Sequence, residues 1–142
     1  MNLKGYFLIL LFLISIAGNL FSAEKLTISE FMAVNSHGLQ DEDKAYSDWI
    51  EIQNTGETTI SLKGIYLTDN PQNLTKWKFP DVKLDAGKFL IVFASEKNRV
   101  DPTKSLHTNF KLSGSGEFLA LVSTDGKTLL SAFSPQYPVQ EE

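Results

Sequence analysis

A chain of 142 residues, 42% hydrophobic and without cysteine, has room for one domain with one core, and it must hold that core without a disulfide. The same lack of cysteine removes a thiol nucleophile and a lipidated-cysteine anchor. A formal net charge of −4 argues against non-specific binding to nucleic acid or anionic lipid, and is compatible with a protein, a cation or a neutral glycan as partner.

Residues 1–23 differ from the rest. Lys4 carries one positive charge, Tyr6 to Ala17 is almost unbroken Leu, Ile and Phe, and Gly18, Asn19, Ser22 and Ala23 follow. That order reads as a secretory signal peptide, cleaved after Ser22 or Ala23. Its apolar run of about a dozen residues falls short of the roughly 20 that a membrane-spanning helix needs. The chain is therefore expected in the periplasm, cell envelope or medium, without stable membrane insertion after cleavage. A secreted domain lacking disulfides fits bacterial export better than an animal extracellular scaffold.

Short, turn-bounded segments come next. Leu26 to Val34 alternates, with Leu26, Ile28, Met32 and Val34 on one phase and Glu30 as its misfit, which predicts a half-buried strand. Asn35 to Ser47 is polar and acidic and reads as a loop. Asp48 to Asn54 predicts a second strand, Ile50 and Ile52 on one face and Trp49 on the other, with Trp49 expected in the core. Asn54 to Glu57 is a turn, Thr58 to Leu62 a short β-branched segment, and Ile65 to Thr68 its continuation beyond Gly64. After the turn at Asp69-Asn70-Pro71, Trp77 and Phe79 alternate with Lys76 and Lys78. Phe89 to Ala94 is apolar on both phases, which predicts a central strand covered on both sides. Glu96 to Ser105 is charged and reads as a long loop, Phe110 and Leu112 mark a short strand, and Ser113 to Gly116 a hairpin loop. Glu117 to Ser123 and Thr128 to Phe133 pair through Asp125-Gly126, a strong hairpin signal. Ser134 onward has two prolines and no pattern, so it reads as a tail.

No segment after the leader shows a 3.6-residue apolar period. About eight short strands at regular turn spacing predict an all-β sandwich or barrel. The expected division is a signal peptide over 1–23, a β domain over 24–133 and a tail over 134–142.

These residues, in this order, resemble the lamin tail domain in its exported bacterial form. The resemblance runs through Ile28-Ser29-Glu30-Phe31-Met32-Ala33 with Asn35, then Asp48-Trp49-Ile50-Glu51-Ile52-Gln53-Asn54. It continues in Leu62, Gly64 and Tyr66 to Asp69, in Trp77-Lys78-Phe79-Pro80, and in Gly87 leading into Phe89 to Ser95. His107, Asn109 to Leu112 and Gly116 to Leu121 close it. The resemblance implies an immunoglobulin-like β-sandwich and no catalysis. In nuclear lamins such a domain follows a coiled-coil rod; here an export leader precedes it, so nuclear roles are not carried over. Such domains run somewhat beyond the equivalent of Phe133, so a missing edge strand or a truncated frame is expected.

The chemistry-bearing residues are sparse. No Gly-x-Ser-x-Gly elbow is present, and Ser113-Gly114-Ser115-Gly116 lacks the lysine of a phosphate loop. His37 and His107 stand alone in predicted loops, with no metal-ligand spacing, and read as loop anchors or exposed side chains. Asp41, Glu42, Asp43 and Asp48 cluster, and Asp69 can approach in space. Asp41, Asp43, Asp48 and Asp69 are the calcium candidates, against the competing reading of a solvated acidic loop; the EF-hand spacing fails. Tyr66 and Trp77 are the candidate sugar-stacking rings, weighed against burial in the core. Asn73-Leu74-Thr75 fits a glycosylation acceptor by pattern alone.

The expectation is a non-enzymatic, cofactor-free, exported interaction or spacer module that binds a protein or a cell-surface polymer and no nucleic acid. The alternatives are a calcium-dependent or glycan-binding sandwich, or an accessory fragment of a larger secreted hydrolase.

Overall fold

The computed structural model describes residues 25–141. The expected signal peptide lies outside them. Among the described residues there are ten strands: β1 (Leu26–Met32), β2 (Asp48–Asn54), β3 (Ile60–Ser61), β4 (Tyr66–Thr68), β5 (Trp77–Lys78), β6 (Lys83–Leu84), β7 (Phe89–Ala94), β8 (Leu106–His107), β9 (Leu119–Val122) and β10 (Leu129–Phe133). One four-stranded sheet has the order β1-β2-β7-β8, a second the order β10-β9-β4-β5, and β3 pairs with β6. All pairs are antiparallel except β7 with β8. The two larger sheets face each other as an immunoglobulin-like β-sandwich, in agreement with the expected fold class.

The core is built by alternation. Leu26, Ile28, Ile50, Ile52 and Val92 from the first sheet meet Leu67, Trp77, Leu119 and Leu121 from the second. Burying each such side chain contributes roughly 1.5–3 kcal/mol, which is how a domain without disulfides holds together.

Glu30 ceases to be a misfit once the register is known. The pairing of β1 with β2 shifts between Ile28 and Glu30. This β-bulge flips the phase, so that Leu26 and Ile28 point inward before it and Phe31 and Ala33 after it, while Ser29 and Glu30 both reach solvent. Strict alternation through Met32 and Val34 is thereby corrected.

Burial on both faces belongs to β9 rather than to the whole of β7. All four residues of β9 are buried. Leu119 and Leu121 enter the main core, and Ala120 and Val122 join Phe118 in a small second cluster with Tyr66 and Leu74. In β7, Val92, Phe93 and Ala94 are buried but Phe89 is 52% exposed. The reason is length: β8 pairs only with Val92 and Phe93, so the start of β7 is paired with β2 on one edge and open on the other.

Trp49 is another correction. It faces away from Ile50 and Ile52 and is only half-buried, whereas Trp77 is in the core, edge-on to Phe79 with centroids 4.9 Å apart. Both indole N–H groups are buried without a partner among the described residues.

The segment after Phe133 is not a loose tail. Tyr137 is 1% exposed and belongs to the main core, its ring 4.6 Å from that of Phe31. The Tyr137 N–H donates to the Glu117 carbonyl (2.9 Å) and the Gln140 N–H to the Gly114 carbonyl (2.8 Å). Gly116 (φ +90°) makes this possible, since a Cβ there would sit 2.4 Å from the Tyr137 carbonyl oxygen. The packed unit therefore extends past the expected boundary at 133.

The sheets are stitched along one side. The Ile28 N–H donates to Ser131 Oγ (3.1 Å), and Thr27 Oγ1 lies 3.3 Å from the same oxygen. Ser131→Ala leaves that N–H without its acceptor and should lower stability by about 1–2 kcal/mol in a denaturant titration. An unchanged midpoint would mean that the sheets are held by core packing alone.

Candidate functional site

The acidic loop between β1 and β2 lies against the charged loop between β7 and β8. Asp41 is its buried centre, with a side chain 0% exposed. Its Oδ1 accepts the N–H groups of Asp43 (2.9 Å) and Ala45 (3.0 Å), and its Oδ2 accepts the Ser47 hydroxyl (2.8 Å) and the Lys97 ammonium. Lys97 and Arg99 both reach Asp43 at 2.7 Å, and Arg99 also bonds Glu42. Asn35 braces the loop from within, its amide donating to the carbonyls of Leu39 (2.7 Å) and Ser47 (2.8 Å).

His107 joins the two loops. It is fully buried on β8 and stacks on Phe93, centroids 5.2 Å apart. Its Nε2 lies 2.9 and 3.0 Å from the Glu42 carboxylate oxygens, and its Nδ1 lies 2.7 Å from Ser95 Oγ. An ionised carboxylate only accepts, so the Nε2 carries the hydrogen; when the ring is neutral, the Ser95 hydroxyl donates to Nδ1 and turns its lone pairs away from the ring. Hydroxyl, imidazole and carboxylate in that order are the parts of a nucleophilic triad. Here the ring has no exposed surface, and Arg99 already occupies the carboxylate. What the chain of bonds does is hold Ser95 in one orientation.

The charges respond to this packing. Burial works against ionisation of Glu42, but the hydrogen bonds from His107 and Arg99 outweigh it and hold the carboxyl at about 2. Burial likewise opposes ionisation of Asp41, and Lys97, with the N–H groups and Ser47, holds it well below the usual carboxylate range. Asp48 behaves oppositely: burial raises it to about 6, only partly offset by hydrogen bonds to the backbone of Asn35 and Leu112 and by Lys111.

Beside this clasp opens a cavity of about 370 Å³, lined by Tyr46, Ser47, Asp48, Ala94, Ser95, Lys97 and Lys111. Asp48 and Ser95 thus reach it from the start of β2 and the end of β7.

The four calcium candidates do not converge. Asp41 and Asp43 share Lys97, Asp48 lines the cavity, and Asp69 is held by Lys76 at 2.6 and 2.8 Å. Among the described residues no three His, Cys, Asp or Glu side chains form a group able to hold a metal ion. Of the candidate sugar-stacking rings, Trp77 is 2% exposed and offers no face. Tyr66 is half-buried, with the Lys78 ammonium 5.8 Å from its ring centre. His107 was expected exposed or as a simple loop anchor; it is a buried junction between Glu42 and Ser95.

Spacing could not reveal Lys97 or Arg99 as members of this site, because 54 to 57 residues separate the paired charges, whereas Tyr46 lies in the acidic loop itself and reads there as a loop residue. The one available signal was compositional: an acidic loop and a second loop carrying Lys97 and Arg99.

A family model described as Lamin Tail Domain matches residues 21–135. The comparison with curated proteins returned no match.

Proposed function

Because the chain belongs to the lamin tail domain family, we propose that it is a non-catalytic interaction or spacer module, exported to the cell envelope or medium, whose clasped loop end grips a protein or a surface polymer. The family is an immunoglobulin-like one whose members are generally interaction modules. The observation that carries the proposal is the clasp itself. Asp41, Glu42 and Asp43 are matched by Lys97 and Arg99, and Glu42 also accepts the His107 N–H, so their charges brace a loop face instead of standing free for chemistry. A face braced before it meets its partner loses little conformational entropy on binding. The leader-like residues 1–23 support the export part.

The test uses the full chain expressed with its own N-terminus in a bacterial host. The expected product begins at Ala23 or Glu24 and, once purified, sediments with washed cell envelopes. A product that keeps Met1 and stays in the cytoplasm would sink the export part. A processed product that never sediments with envelopes would leave the interaction part without a surface partner.

A further inference from the structure

Trp77 cannot stack on a sugar, yet the described residues include another aromatic ring in a more open setting. Tyr46 is 46% exposed and lines the cavity of about 370 Å³. That volume is at the small end of the roughly 300–1,000 Å³ typical of ligand sites, and its lining is more polar than such sites usually are. We propose that this cavity is a subsite for a neutral, polyhydroxylated ligand, a sugar unit of a surface polysaccharide stacked on Tyr46. The proposal rests on the interaction-module reading and names the partner's chemistry.

Charge balance argues for a neutral ligand. Both lysines of the cavity already have acidic partners: Lys97 has Asp41 and Asp43, and Lys111 lies 3.3 Å from Glu96. An anion entering would find no unmatched positive charge, and the chain's net charge of −4 opposes it further. A cation would meet Asp48, but also the two ammonium groups beside it. Hydroxyl groups need neither sign; they need fixed donors and acceptors.

The cavity supplies those in defined orientations. Ser47 spends its hydroxyl hydrogen on Asp41, which leaves its oxygen as an acceptor. Ser95 is turned the same way by His107 when the ring is neutral, and although its oxygen already accepts the Lys97 backbone N–H at 3.4 Å, one lone pair remains. Asp48 adds carboxylate acceptors, and Lys111, 61% exposed, adds donors. A sugar ring presents C–H groups on one face and hydroxyls at its edge. The ring of the exposed Tyr46 suits the first and the hydroxyl, carboxylate and ammonium groups suit the second.

Affinity gel electrophoresis of the purified full chain tests this, with laminarin, dextran and galactomannan as neutral probes and polygalacturonate as the charged control. At least one neutral probe should retard the chain, and polygalacturonate should not. Tyr46→Ala should weaken that retardation about tenfold, the loss of one stacking contact of roughly 1.4 kcal/mol. Tyr46→Phe should retain it, because the ring and not the hydroxyl makes the contact. Equal melting temperatures for the three proteins would exclude a folding defect at this exposed position. Retardation by no neutral probe, retardation only by the charged one, or binding indifferent to Tyr46→Ala would each overturn the proposal. If Tyr46→Ala still sediments with envelopes like the parent, the interaction module stands and its contact lies elsewhere. If the parent never sediments, the interaction reading has failed first.

Discussion

Asp41→Ala should destabilise the domain by about 3–5 kcal/mol, the cost of removing one partner from a buried ion pair. The carboxylate satisfies two backbone N–H groups, a hydroxyl and the Lys97 ammonium, all of which lose an acceptor together. Against a typical total stability of about 5–15 kcal/mol this is a large share, and the melting temperature should fall by on the order of 15 °C. A fall of only a degree or two would show that the loop pairs are as weak as ordinary surface ion pairs.

The same network sets the acid limb of stability. Asp41 and Glu42 have folded-state values below their ordinary 3.8 and 4.5, so their contribution is complete above those values and is lost as pH falls through the folded values, at about 2 for Glu42. Asp48 has the opposite sign. Its folded value of about 6 lies above its ordinary 3.8, so protonation favours the folded state. Stability from that group grows as pH drops from about 6 to about 4 and is absent at neutral pH. The melting temperature should therefore peak between about pH 4 and 5 and fall steeply below that range. Asp41→Ala should make the acid limb shallower, because one of the two groups that must be protonated there is gone. A monotonic rise to pH 7 would contradict the assignment of Asp48.

Deleting residues 134–142 should cost about 4 kcal/mol, in the range for emptying a large aromatic site in a core. The deletion removes the Tyr137 ring from beside Phe31 in the main core. It also removes a hydroxyl that donates to the Ser113 carbonyl at 2.9 Å, lies 3.1 Å from Glu117 and accepts the Ser113 N–H at 3.0 Å. Tyr137→Phe separates the two contributions, since it keeps the ring and should cost only about 1–2 kcal/mol. A truncated chain that melts like the parent would mean that the domain does end at Phe133 and that Tyr137 merely rests on it.

Local pattern and long-range contact divide this protein cleanly. The all-β class, the Asp125-Gly126 hairpin and the inward face of Ile50 and Ile52 were legible in the chain, because a strand's two-residue period and a turn's demand for glycine are properties of neighbouring residues. The ordered residues from Ile28 to Leu121 also sufficed to suggest the family that the match over 21–135 shows. The bulge that exposes Ser29 and Glu30 was not legible, because register depends on the partner strand. Nor was the place of Tyr137, whose flanking prolines mimic a tail while its ring packs on Phe31 of β1 in the main core. The clasp was least visible of all. Asp41, Glu42 and Asp43 look like a solvated or metal-seeking loop until the sandwich brings Lys97, Arg99 and His107 to them. A charge's role is set by which opposite charge the fold places within hydrogen-bond reach, and that placement is decided by sheet topology and not by spacing along the chain.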